Sequence, residues 1–160
     1  MVHIISFNLF LLVSLVFSMR CGGGPEKVAI LSQAAAAIFT VIAIRIVPRS
    51  ANFVGLAQAL AAIDILLLLA LTVLALKANR LWTIVLAGLQ LSTVIVHVSK
   101  ALVPAFPSAS YAIFAQFWAW PMLIATVTGT LAHWLRQGRF GGERDWKPLW
   151  PHTVREPFMA

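Results

Sequence analysis

The stretch FVGLAQALAAIDILLLLALTVLAL, residues 53–76, decides the fold. It is apolar all round and carries a single charge, Asp64, near its middle. A helix of about 20 apolar residues crosses the roughly 30 Å hydrocarbon core of a bilayer, so the stretch reads as a membrane span. A carboxyl at that depth costs about 2.5–3.5 kcal/mol on insertion scales. Fourteen Phe, Val, Leu and Ile residues, at roughly −0.3 to −0.6 kcal/mol each, outweigh it. The helix therefore inserts, and Asp64 is expected to face protein rather than lipid. Its own face agrees: Ala57, Ala61 and Asp64 fall at i, i+4 and i+7, and Gly55 and Ala59 form a neighbouring small pair. Small residues of this kind let a second helix approach closely.

Four further apolar runs flank this one, giving expected spans over residues 2–19, 28–47, 53–76, 81–103 and 111–134. The links are short, which favours an up-and-down antiparallel bundle. The runs are continuous rather than alternating, which speaks against a transmembrane barrel. Composition points the same way. The chain has 160 residues, 61% hydrophobic and 11% charged, with a mean hydropathy of +0.90. Soluble domains carry about 25% charged residues, so a water-soluble enzyme, a disordered tail and a fibre are excluded. The expected class is an all-α membrane protein: a five-helix domain over residues 1–134, then a basic, aromatic tail over 135–160. The first run has no Lys or Arg ahead of it, and Arg20 stands where a lipoprotein cleavage site before Cys21 needs a small residue. Both features favour a retained span over a signal peptide. A lone cysteine provides no intrachain disulfide and no CxxC motif.

The net charge of +7 resides at the ends of the apolar runs, as anchors for lipid head groups, so nucleic acid is not expected as a partner. With five spans, Arg45, Arg49 and Lys100 fall on one side. Arg20, Lys27, Lys77, Arg80, Arg136, Arg139, Arg144, Lys147 and Arg155 fall on the other. The positive-inside rule puts the amino terminus outside and the tail in the cytoplasm of a bacterial inner membrane. In the tail, Arg139, Arg144, Lys147 and Arg155 mix with Phe140, Trp146 and Trp150, as in a surface anchor or a docking arm.

Hairpin geometry names a partner for Asp64. Helices 53–76 and 81–103 meet at a tight turn near Ala78 and Asn79, so the level of Asp64 on the next helix is close to Thr93. That helix carries Gln90, Thr93, His97 and Lys100 at i, i+3, i+7 and i+10, one stripe of a helix. His97 then sits about 6 Å outward of Asp64 by helix rise. Asp64, Gln90, Thr93, His97 and Lys100 thus form an expected intramembrane polar cluster. It reads either as interhelical glue or as a proton relay. Arg45 and Lys100, near the outer ends of their spans, are candidate head-group contacts. No catalytic constellation and no metal-ligand cluster stand out. No cofactor is expected; only His3 and His97 could meet on the outer side to hold a b-type haem. Pro121 is expected to kink the last span, and Tyr111, Trp82, Trp134 and Trp146 read as interfacial aromatics.

The string Gly88-Leu89-Gln90-Leu91, Thr93-Val94 and His97, followed by Tyr111-Ala112, Trp118, Pro121 and Gly129-Thr130, resembles small uncharacterised integral membrane proteins of proteobacteria. The resemblance covers roughly residues 52–134 and brings no function with it. The chain has almost no extramembrane mass in which to build a site. The expected role is therefore structural or interactive: an accessory subunit of a larger membrane complex, with other membrane subunits and the bilayer as partners. The alternatives are a small proton-coupled transporter or channel using Asp64 and His97, or a membrane-embedded enzyme acting on lipid.

Overall fold

A computed structural model describes residues 2–46, 53–103, 105, 107–141 and 145–146. It is all-helical: α1 Val2–Cys21, α2 Gly24–Ile46, α3 Phe53–Lys77, α4 Trp82–Leu102, α5 Ser108–Phe117 and α6 Ala119–Phe140. Four segments are long and apolar enough to cross a membrane: Gly24–Ile46, Gly55–Lys77, Trp82–Leu102 and Ser110–Arg139. The described apolar part of α1, Ile5–Cys21, is shorter. The helices close into a ring. α1 packs on α2 and α6, α2 on α3 and α6, α3 on α4, and α4 on α5 and α6.

The surface and interior are inverted relative to a water-soluble bundle. Large apolar side chains point outward on every long helix, among them Leu9, Phe39, Leu66, Leu91 and Leu131. Among the described residues, buried polar or charged side chains number twelve against ten buried hydrophobic ones. Lipid solvates leucine as well as another helix does, so small and polar groups are what helices have reason to share. The apolar part of the core is compact, with Leu67, Leu71, Leu74 and Ala78 of the α3 face set against Ala29, Leu86 and Met122.

Helix ends follow local chemistry. α2 starts at Gly24, ahead of the expected 28, with Pro25 in its first turn, where a missing N–H costs nothing. α6 runs past the expected end at residue 134 to Phe140. It stops at Gly141, whose φ of +76° closes a helix in the left-handed region that glycine favours. The expected single helix over 111–134 is instead two, α5 and α6, broken at Trp118. Pro121 explains the break: its ring clashes with the carbonyl of Phe117, four residues back, and it offers no N–H to it. Trp120, beside the break, is packed by Phe7 in an edge contact and by Phe10 in a stack, which ties α1 to α6.

Candidate functional site

Asp64 continues the buried α3 stripe of Leu67, Leu71, Leu74 and Ala78, so helical periodicity alone turns it toward α4. On α4, Thr83, Leu86, Gln90, Thr93 and His97 are all buried and share one stripe. The two stripes meet. Gln90 Nε2 donates to Asp64 Oδ1 at 2.9 Å and to the Asp64 main-chain carbonyl at 3.0 Å. His97 Nε2 lies 2.7 Å from Asp64 Oδ2. Gln90 and His97 bracket the level of Thr93, as antiparallel geometry about the Ala78–Asn79 turn requires. Thr93 itself is buried between them.

The third member of the site comes from beyond the helix break. Tyr111, in α5, is 4% exposed, and its hydroxyl lies 2.8 Å from His97 Nδ1, with the two rings in an edge contact. Its expected place as an interfacial aromatic gives way to burial, because α5 packs on α4. A continuous chain results, Tyr111 Oη to His97 to Asp64, anchored by Gln90. With a neutral imidazole, Nε2–H donates to the carboxylate and Nδ1 accepts from the phenol. An imidazole bonded at both nitrogens can take a proton at one and release another from the second. The Asp64 side chain keeps 26% exposure while that of His97 keeps 5%, so the chain leads from the bundle flank to its interior.

The other expected residues lie toward the ends of their helices. Lys100 lies in the last turn of α4, half-buried, outward of His97, and Arg45 lies exposed in the last turn of α2. Arg49 and the side chain of His3 fall outside the described residues, and both ring nitrogens of His97 are already engaged. Two open depressions on the bundle flank, one beside Trp134 and Arg139 and the other beside Phe17 and Cys21, are not lined by Asp64 or His97.

Polar contacts continue along the bundle. Gln33 Nε2 donates to Thr126 Oγ1 at 2.7 Å, and Ser18 and Thr130 share a hydrogen bond of 2.9 Å. These link α6 to α2 and α1, so the Thr126–Thr130 segment does pack on neighbours. Gly129 is where Trp82 seats, since a Cβ there would stand 2.6 Å from the indole. Trp82 is therefore a packing residue rather than a purely interfacial one. At the other end from Tyr111, Arg80 is 6% exposed and turns into the protein instead of toward head groups. There it meets Glu26, His133 and Asp145. Composition and spacing gave no signal for that cluster, because its members come from four separate segments. Comparison with known protein families, curated proteins and solved structures finds no match.

Proposed function

We propose that the chain is a five-span protein of the bacterial inner membrane, amino terminus outside and carboxyl terminus in the cytoplasm, that moves protons. In this reading it is a small proton-coupled transporter or channel, and Tyr111, His97 and Asp64 carry the proton. The observation that supports it is the unbroken hydrogen-bonded chain of three ionisable side chains within apolar spans. Intramembrane carboxylates and imidazoles are costly, and proton pathways are a principal use of them. α1 serves as the fifth span, held to α6 by Ser18 and Thr130. A lipid-acting enzyme fits less well, because His97 is buried with both ring nitrogens engaged.

One observation favours the second reading, a structural role as an accessory subunit with other membrane proteins as partners. Both Asp64 oxygens are bonded, and Gln90 also grips the Asp64 carbonyl, as an interhelical clamp would. Asp64→Asn separates the two. Asparagine still accepts from Gln90 but no longer carries a proton. Reconstituted in liposomes, the variant should fold as the parent does and lose proton-linked flux. Parental flux from Asp64→Asn, or no flux from either protein, sinks the relay and leaves the clamp.

A further inference from the structure

The cluster at the opposite end of the bundle is built from the first turn of α2 (Glu26), the turn after α3 (Arg80), the inner part of α6 (His133) and the tail (Asp145). Arg80 Nη2 sits 2.9 Å from His133 Nδ1 and 3.0 Å from Asp145 Oδ1. Glu26 is 0% exposed, and neither of its carboxylate oxygens has a hydrogen-bond partner among the described residues. Its nearest cationic atom is Arg80 Nε, at 3.7 Å. A buried carboxylate left without hydrogen bonds is a costly arrangement. Arg80 thus donates to the Asp145 carboxylate and to the His133 lone pair, and leaves the Glu26 carboxylate poorly served.

We infer that Glu26, His133 and Asp145 form a binding site for a divalent first-row transition cation such as Zn²⁺, with the Arg80 guanidinium as its built-in competitor. One ligating atom from each of the three residues lies within 4.8 Å of the other two. Tetrahedral ligands at bonds of about 2.0–2.2 Å stand roughly 3.4 Å apart, so modest side-chain rotation closes the set. One imidazole nitrogen with two carboxylate oxygens is a donor set that suits zinc or manganese. Among the described residues, two carboxylates face one guanidinium. A compact dication reaches all three ligands at once, whereas the wide, planar guanidinium does not. Arg80 Nη2 already engages His133 and Asp145, two of the three ligand residues, so the two cations compete for them. The tail completes the set. Asp145 Oδ2 accepts from the Gly24 N–H at 2.9 Å, and the Asp145 carbonyl accepts from the Asn79 N–H at 3.1 Å. Gly23 leaves the space that this carboxylate fills, since a Cβ there would come within 2.6 Å of Oδ1.

The site stands independently of any proton flux through Asp64. Its test is a Zn²⁺ titration of the full chain in detergent, stripped of metal beforehand, read by calorimetry and by the melting temperature. One ion per chain is expected, with a rise in melting temperature as the folded state binds it. Glu26→Gln and His133→Ala should each weaken binding by about tenfold or more. Arg80→Gln should tighten it several-fold, the sign that a simple salt-bridge cluster does not give. Absence of Zn²⁺ binding in the parent chain, or binding that Glu26→Gln leaves unchanged, overturns the site and leaves an ion-pair cluster only. An Arg80→Gln chain that folds but binds more weakly overturns the competitor role.

Discussion

At the scale of single residues, the site turns on hydrogen bonds whose individual worth is small. Interhelical polar contacts in membranes average about 0.6 kcal/mol and reach about 1.7. Tyr111→Phe removes the phenol from His97 and leaves His97 on Asp64. It should therefore lower stability by about 0.6 kcal/mol while cutting flux sharply if the relay operates. Thermal melts alongside liposome flux assays check both halves, and unchanged flux removes Tyr111 from the path. Packing residues behave differently. Gly129→Ala places a methyl 2.6 Å from the Trp82 ring, whose bulk is wedged between helices. Overpacking of that kind costs about 1–3 kcal/mol, so the variant should melt earlier in detergent. Gly88, where a Cβ meets open space, is the control: Gly88→Ala should be neutral or mildly stabilising.

At the scale of helices, small polar contacts set which faces meet. α3 and α4 are joined by Gln90, His97 and Asp64, α2 and α6 by Gln33 and Thr126, and α1 and α6 by Ser18 and Thr130. A double-mutant cycle with Gln33→Leu and Thr126→Val should give a coupling of about 0.6 kcal/mol and no more than about 1.7. A coupling near zero would mean that small-residue packing, and not this bond, seats α2 on α6. The break at Trp118 matters more than any one bond. It lies between the Tyr111 that reaches His97 in α4 and the Thr126 and Thr130 that reach α2 and α1.

At the scale of the whole molecule, the tail closes one end of the bundle. Ala78 and Trp146 form an antiparallel bridge, the indole covers Gly24, and Asp145 binds both the Gly24 N–H and Arg80. Asp145→Ala strips the Gly24 donor and part of the Arg80 shell of their acceptor. A loss of about 1–3 kcal/mol is expected in chemical or thermal unfolding. Orientation is tested by reporters fused at the carboxyl terminus. Activity of a cytoplasm-dependent reporter there, with silence from a periplasm-dependent one, is the expected result; the reverse overturns the assigned topology.

The sequence by itself determined the helical class, the rough place of most helices and one side of the site. Length and hydropathy act locally, so apolar runs become helices whatever surrounds them. The stripe of Gln90, Thr93 and His97 and the face of Asp64 were legible because both follow the 3.6-residue period across a short hairpin, where register is fixed by the turn. Tertiary structure alone decided that Tyr111 joins His97, that Arg80 turns inward, and that Glu26, His133 and Asp145 converge. Those residues lie far apart in the chain and on elements joined by a kink or a folded-back tail. Their meeting depends on crossing angles and on how the ring of helices closes, which no local periodicity encodes.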